Sequence, residues 1–220
     1  MLKKHLLILI LTLSVLWLSE IKAQIVKDVD GNIYSTVKIG NQIWFYDNLR
    51  TTKFNDGTAI PIVNSDNTWG SLSTPAYCWL NNKVDNKEKY GALYNWYAVN
   101  TKKLCPKGWH VPTDDEWTAM VSSLGDPALA GAKLKESDLG GWKNPEYVGT
   151  NEYGFTALPA GMRIYNGDFP DFSNNFAVWW SATSTRTTEA WNRGLYFNSS
   201  QVYRGRENMK SGFSVRCLKD

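Results

Sequence analysis

The chain has 220 residues, a formal net charge of +3 and an aromatic content of 14%. This length fits one domain, and the composition is not that of a disordered chain, a coiled coil or a collagen. Nucleic acids and anionic membranes attract clustered positive charge, so the nearly neutral balance favours neither as a partner.

Residues 1–23 have the pattern of a secretory signal peptide. A basic start precedes an apolar run from Leu6 to Leu18, and Ala23 is a small residue at the expected cleavage point. The run is shorter than the roughly 20 residues of a membrane span, although a retained N-terminal anchor is the alternative. No cysteine lies near the cleavage point to carry a lipoprotein anchor. We therefore expect an exported domain at residues 24–220, secreted or at the cell surface or periplasm, with no membrane span after leader removal.

Turn signals mark the first part of this domain. Residues 33–46 alternate in polarity on both sides of Gly40–Asn41 and predict a β-hairpin with a two-residue turn. Asn55-Asp56-Gly57 predicts a second turn. Residues 63–75 are polar and rich in Asn, Ser and Thr, which predicts a surface loop.

Helical patterns occupy the middle of the chain. Residues 91–100 have apolar side chains at helical spacing and predict a helix. The clearest helix covers residues 113–124, where Thr113 and Glu116 have the spacing of a capping box. A shorter helix is predicted around residues 128–135.

The last third predicts strands and no helix. The predicted strands cover residues 154–164, 178–183, 190–197, 201–204 and 212–218, with turns at 166–167, 198–199 and 207–208. Short strands that follow a group of helices indicate the α+β class with antiparallel pairing. The absence of an internal repeat or a Pro-rich linker predicts a single domain.

Cys78, Cys105 and Cys217 allow three disulfide pairings and leave one thiol over. We favour Cys105 with Cys217, because a bridge across so long a loop stabilises by about 4–5 kcal/mol in the chain-entropy model. Cys78 would then be free and buried. Three reduced thiols remain the alternative.

Few side chains have the surroundings of a catalytic group. His110 is the only histidine beyond the leader, and Ser181 lies outside a nucleophile elbow. Asp168 and Asp171 are the acidic pair that a glycoside hydrolase would need. Residues 28–32 resemble the start of a calcium loop but lack the glutamate at its twelfth position. We predict no enzyme activity, no metal site and no cofactor.

The segment from residue 190 to 208 has the composition of a recognition surface. Rigid aromatic rings alternate there with hydrogen-bonding side chains, as at many binding interfaces. The predicted binding residues are Trp191, Asn192, Arg193, Tyr196, Asn198, Tyr203, Arg204 and Arg206. We expect an exported binding or adhesion module that recognises a surface glycan or protein. For the segment itself, the alternative is a half-buried strand pair whose outward face is merely polar. For the protein, the alternatives are a structural component of the outer surface without a discrete ligand and a carbohydrate-active hydrolase.

A set of motifs runs through the chain in a fixed order. It comprises Asp-Val-Asp-Gly-Asn-Ile-Tyr at 28–34, Ile-Gly-Asn-Gln-Ile-Trp at 39–44, Asn-Leu-Arg-Thr at 48–51, Tyr-Gly-Ala-Leu-Tyr-Asn-Trp at 90–96, Cys-Pro-Lys-Gly-Trp-His-Val-Pro-Thr at 105–113, Gly-Phe-Thr-Ala-Leu-Pro-Ala-Gly at 154–161, Trp-Trp-Ser-Ala-Thr at 179–183 and Ser-Val-Arg-Cys at 214–217. With these motifs the chain resembles the Fibrobacter succinogenes major paralogous domain family from about residue 25 to the end.

The resemblance implies a C-type-lectin-like α+β fold, with two helices against short antiparallel strands and a closing disulfide. It supports the Cys105–Cys217 pair, since those positions carry the family's usual cysteines, and it leaves Cys78 without the partner that other members often have. Lectin-type calcium sites need a carboxylate after a Trp-Asn pair, and here Arg193 follows that pair, so no calcium site is expected. The family has no settled biochemical activity.

Overall fold

Short strands and short helices alternate along the residues that the structure, a computed structural model, describes. These are residues 25–137, 141–142, 145–147, 149–171 and 175–220. The predicted signal peptide at 1–23 lies outside them. The strands are β1 Val26–Lys27, β2 Ile33–Tyr34, β3 Thr36–Ile39, β4 Gln42–Phe45, β5 Tyr77–Trp79, β6 Ala92–Asn95, β7 Trp109–His110, β8 Phe176–Ser184, β9 Glu189–Tyr196, β10 Tyr203–Asn208, β11 Gly212–Phe213 and β12 Leu218–Lys219. The α-helices are α1 Asp66–Ser71, α2 Lys87–Tyr90, α3 Trp96–Asn100, α4 Asp114–Ser123 and α5 Ala130–Leu134.

Both predicted turns of the first part are confirmed. Strands β3 and β4 pair antiparallel with Ile39 opposite Gln42. Gly40 between them has φ +58, a left-handed conformation that glycine adopts without steric cost. In the second turn, Lys53 and Ala59 form an antiparallel bridge around the Asn55-Asp56-Gly57 segment.

The prediction of a surface loop at residues 63–75 is wrong. The segment contains α1, whose N-cap Ser65 accepts a hydrogen bond from the Thr68 amide. Trp69 of this helix is fully buried, and the guanidinium of Arg163 lies 4.5 Å from its ring centroid. Burial of the Trp69 indole therefore stabilises α1, a helix that the polar composition of residues 63–75 does not predict.

The predicted helix at residues 91–100 is half wrong. Its first part is β6, whose four residues are all buried between β5 and β11. The helix α3 begins only after Asn95, whose side chain accepts a hydrogen bond from the Ala98 amide. Pairing with strands on both sides overrides the helical spacing of this segment.

Helix α4 confirms the strongest sequence prediction. The Thr113 hydroxyl accepts from the Glu116 amide, and the Glu116 carboxylate accepts from the Thr113 amide, so the capping box is complete. Trp117 and Met120 are buried on one face of the helix. Helix α5 confirms the shorter helix.

The C-terminal strands form an antiparallel sheet of order β10-β9-β8. Two predictions here are wrong. Residues 154–164 form only isolated bridges, such as Gly161 with Ala177. Glu207 and Asn208 belong to β10 and not to a turn.

The final strand β12 lies between β4 and β7, so the end of the chain returns to the first hairpin. Cys105 and Cys217 form the expected disulfide, and Cys78 is free and buried. The strands of every sheet pair antiparallel, so the fold is mixed α+β, with five helices in the described ranges in place of the expected two. None of the helices in the described part of the chain is long and apolar enough for a bilayer span.

Candidate functional site

The predicted binding residues lie on two opposite faces of the C-terminal sheet. Successive side chains of a strand point to opposite faces, and directly opposed residues of neighbouring strands share a face. In the β9–β10 register, Trp191 is opposite Arg206 and Arg193 is opposite Arg204. These four residues form what we call the arginine face. The other face carries Asn192, Tyr196 and Tyr203.

At the arginine face, Arg193 is buried against the first turn of α4. Its Nη1 donates to Asp114 Oδ1 at 2.6 Å, and its Nη2 donates to the Thr118 hydroxyl at 2.9 Å. The side chains of Arg193 and Asp114 are only 3% and 8% exposed. Arg193 was predicted to contact a ligand, but an ion pair inside the protein already occupies its guanidinium.

Arg204 binds the same carboxylate from the solvent side. Its Nη2 donates to Asp114 Oδ2 at 2.7 Å, and its Cζ lies 3.5 Å from the ring centroid of Trp191. Burial alone would raise the pKa of the Asp114 carboxyl, but hydrogen bonds from Arg204 and Arg193 outweigh burial and hold that pKa below its ordinary value. Arg204 and Trp191 therefore form a stacked pair at the surface that is anchored to α4.

Asn192 is also buried, contrary to the prediction of an exposed face. It is opposite Gly205 in the β9–β10 register. A side chain at Gly205 would place its Cβ only 3.0 Å from Asn192 Oδ1. The Asn192 amide therefore fills the space that the glycine leaves, and it is not available to a ligand.

The opposite face of the sheet ends in a cleft of about 250 Å³, which we call the tyrosine cleft. Its lining residues are Met162, Asn175, Phe176, Tyr196, Phe197 and Asn198. Tyr203 is not among the lining residues, but its ring meets Tyr196 edge to face, with 4.8 Å between ring centroids. The two tyrosines are 38% and 44% exposed. The cleft therefore combines an apolar floor and side-chain amides with the accessible ring of Tyr196, which the ring of Tyr203 contacts.

The turn that joins β9 to β10 is held from inside the protein. Lys135 is fully buried, and its ammonium group donates to the backbone oxygens of Tyr196 and Ser199 at 2.7 Å each. Burial lowers the pKa of Lys135 to about 8. The amide of Gly131 donates to the Ser200 oxygen at 2.7 Å, and a Cβ at Gly131 would clash with the Gln201 oxygen. One rim of the tyrosine cleft is thus preorganised by α5.

Lys135 and Gly131 were missed by the sequence reasoning. The only local signal was a lysine at the C-terminal end of a short apolar helix, where Lys135 is the C-cap of α5. The oxygen acceptors that a buried ammonium needs come from other parts of the chain.

The catalytic candidates are engaged in structural contacts. His110 Nδ1 lies 2.6 Å from Asp220 Oδ1 and its Nε2 lies 3.0 Å from Glu116 Oε1, so neither ring nitrogen is open to a substrate. Ser181 is buried and its hydroxyl accepts from the Thr183 amide. Within the described ranges, no group of three or more His, Cys, Asp or Glu side chains is placed to hold a metal ion.

In the acidic pair of the hydrolase hypothesis, Asp168 takes part in a local turn. Asp168 accepts a hydrogen bond from the Asn166 amide and forms part of the 166–168 turn. At the calcium-like segment, Asp28 accepts from the amides of Asp30 and Asn32 and from the Tyr34 hydroxyl. These bonds fix the turn between β1 and β2.

A family model for the Fibrobacter succinogenes major domain matches residues 37–219. The chain belongs to this family. No curated protein and no solved structure matches the chain. The tyrosine cleft and the arginine face both fall within the matched region.

Four of the sequence motifs that carry the family resemblance meet in the interior, at Asn48. Its Nδ2 donates to the Tyr90 oxygen at 2.8 Å and to the Ser214 hydroxyl at 3.3 Å. Its Oδ1 accepts from Trp179 Nε1 at 2.9 Å and from Arg216 Nε at 3.0 Å. One buried amide therefore connects four separate motifs. None of the residues that line the tyrosine cleft belongs to these motifs, although the cleft lies within the matched region.

Proposed function

We propose that this chain is an exported, non-enzymatic binding domain with a C-type-lectin-like fold, which holds one sugar ring of a surface glycan in the tyrosine cleft. Sites that enclose a drug-sized ligand have volumes of roughly 300–1,000 Å³. The tyrosine cleft, at about 250 Å³, matches a single ring-sized unit better than a whole extended ligand.

The chemistry of the cleft suits a sugar. A tyrosine ring presents an apolar surface that packs on the C–H face of a pyranose, while its hydroxyl remains free to hydrogen-bond. Tyr196 and Tyr203 present two such rings at right angles, with an interplanar angle of 86°. Asn198 adds an amide group that can bond sugar hydroxyls.

The observation that carries the proposal is the exposed tyrosine pair at the two strand ends that flank the β9–β10 turn, together with the buried contacts that hold this turn. A turn with no binding role would not need a buried ammonium ion beneath it, because surface turns are ordinarily satisfied by water and local bonds. Here Lys135 bonds the backbone of that turn twice. Preorganisation of this kind reduces the entropy that is lost when a ligand binds.

The test is glycan-array binding followed by calorimetry with the best sugar. We expect Tyr196→Ala and Tyr203→Ala to weaken binding about 10-fold or more, which is the loss typical of an aromatic hot spot. Tyr203→Phe should keep most of the affinity, because the ring remains.

Trp191→Ala is the matched control, since it removes a larger ring from the opposite face of the same sheet. It should leave sugar affinity unchanged. Equal losses for Trp191→Ala and Tyr203→Ala would contradict the assignment of the site to the cleft, and the absence of any sugar ligand would refute the proposed function.

A further inference from the structure

Strand β10 forms the outer edge of the C-terminal sheet. It pairs with β9 over all six of its residues, and no described strand lies on its other side. An edge strand presents unpaired backbone groups to any extended chain that approaches it.

The hydrogen bonds of β9 identify which groups of β10 point outward. The oxygen of Glu189 accepts from the Thr185 amide, and the Phe197 amide donates to the Asn175 oxygen, so odd-numbered residues of β9 face β8. Even-numbered residues therefore face β10. Their partners in the register are the odd-numbered residues of β10, so Arg204 and Arg206 direct their N–H and C=O groups away from the sheet.

One end of this edge is closed. The Asn208 amide donates to Glu207 Oε1 at 2.7 Å, and the Asn208 oxygen accepts from the Ser211 amide at 2.9 Å. No described residue outside β10 takes up the outward groups of Arg204 and Arg206. The open part of the edge therefore consists of the outward backbone groups of Arg204 and Arg206.

On the arginine face, the two side chains beside this edge are arginines, whereas Glu207 lies on the opposite face. Arg206 is exposed and has no carboxylate partner among the described residues, whereas Arg204 shares Asp114 with Arg193. If two copies of the chain joined edge to edge, their arginines would face each other across the new strand pair. Like charges in opposed positions destabilise such a pair, so the edge disfavours a second copy and favours an acidic strand.

We infer that the outer edge of β10 binds an extended peptide segment of another protein as an added strand, with acidic side chains at alternate positions opposite Arg204 and Arg206. Main-chain hydrogen bonds supply affinity in this mode of recognition, and alternate side chains supply specificity. This site is separate from the tyrosine cleft and does not depend on a sugar ligand.

The test uses an acetylated peptide of alternating Glu and Val and a control of alternating Lys and Val. Amide hydrogen exchange of the protein is followed by NMR at saturating peptide. We expect the amides of Arg204 and Arg206 to exchange at least 10-fold more slowly with the acidic peptide. The amide of Gly205, which already faces β9, should change much less, and the basic peptide should have no effect.

Two variants distinguish the contribution of the backbone hydrogen bond at Arg206 to peptide affinity from the contribution of its charge. Arg206→Pro removes an outward N–H that β9 does not use, and proline is tolerated at such edge positions. It should abolish peptide binding. Arg206→Gln keeps the N–H and should weaken binding only about 3- to 10-fold.

Unchanged exchange at Arg204 and Arg206 with the acidic peptide, or equal protection by the basic peptide, would overturn the inference. So would wild-type affinity in folded Arg206→Pro. If that variant does not fold, the exchange measurement on the unaltered chain decides. Sugar binding is measured in a separate experiment. Neither outcome of the peptide experiment decides whether the tyrosine cleft binds a sugar.

Discussion

Asp114→Asn is expected to be the most destabilising single-charge change near the binding strands. Asp114 opens α4 and joins this helix to both β9 and β10 through Arg193 and Arg204. Asparagine keeps the shape of the side chain and one oxygen acceptor. It removes the negative charge that compensates a guanidinium which is only 3% exposed.

The structure sets the size of the effect. Removal of one partner from a buried ion pair costs about 3–5 kcal/mol, because the other charge remains buried. The half-exposed pair with Arg204 adds about 0–1 kcal/mol. Since the asparagine oxygen still accepts one hydrogen bond, we expect a loss near the lower limit, about 3 kcal/mol. For a chain of this size that corresponds to a fall of about 6–12 °C in Tm.

The loss should depend on pH. The folded-state pKa of Asp114 is lowered, so its stabilising effect is complete above the ordinary carboxyl pKa and disappears as the pH falls through the lowered value. The difference in stability between the wild-type protein and Asp114→Asn should therefore begin to shrink as the pH falls below about 4, and it should vanish only below the lowered folded-state pKa.

Urea denaturation at pH 7 and at pH 3 measures this difference. Asp115→Asn is the control, because Asp115 is the exposed neighbour in the same helical turn and should cost less than about 1 kcal/mol. A loss at Asp114 below about 1 kcal/mol, or a loss that is equally large at pH 3, would refute the ion-pair explanation.

The remaining predictions concern the turn and the cysteines. Because the folded-state pKa of Lys135 is lowered to about 8, the unfolded chain binds more protons above that pH, and the free energy of unfolding should rise between pH 8 and 10 relative to Lys135→Met. A fall in urea midpoints over that range would contradict this. Replacement of Cys105 and Cys217 by serine should cost about 4–5 kcal/mol, since the bridge spans 112 residues. Burial raises the pKa of Cys78 to about 12, so iodoacetamide should label this thiol only after unfolding, as mass spectrometry would show.

Local signals predicted those elements whose determinants are neighbours in sequence. The capping box of α4 and the turn at Gly40 each depend on residues within a few positions, and both are confirmed. The prediction of a loop around Trp69 was wrong because the helix there is stabilised by contact with Arg163, almost a hundred residues away. The prediction of a helix over the residues of β6 was wrong because pairing with two neighbouring strands determines their conformation, and helical spacing does not report such pairing.

Composition directed attention to β9 and β10 but did not predict the geometry of the candidate site. Composition does not say which residues of a strand share a face. The alternation of side chains along β9 indicates which residues share a face. It places Trp191 and Arg193 on one face of the sheet and Asn192 and Tyr196 on the other. The contacts that bury Arg193 come from α4, and those that hold the turn come from Lys135. Neither follows from the strands' own sequence.

The division between scaffold and site can be tested by one comparison. Asn48 is buried and uses both ends of its amide to connect Tyr90, Trp179, Arg216 and Ser214. Asn48→Leu keeps the volume but leaves several buried partners unsatisfied at about 1–3 kcal/mol each, so we expect a loss of about 4 kcal/mol or more by urea denaturation.

Tyr203→Ala is the counterpart at the cleft. Its ring is 44% exposed and carries none of these connections, so the same assay should show a loss below about 1 kcal/mol, while sugar binding falls. If Tyr203→Ala instead destabilised the chain as much as Asn48→Leu, the exposed tyrosine pair would be a structural element, and the basis for a sugar site would be lost.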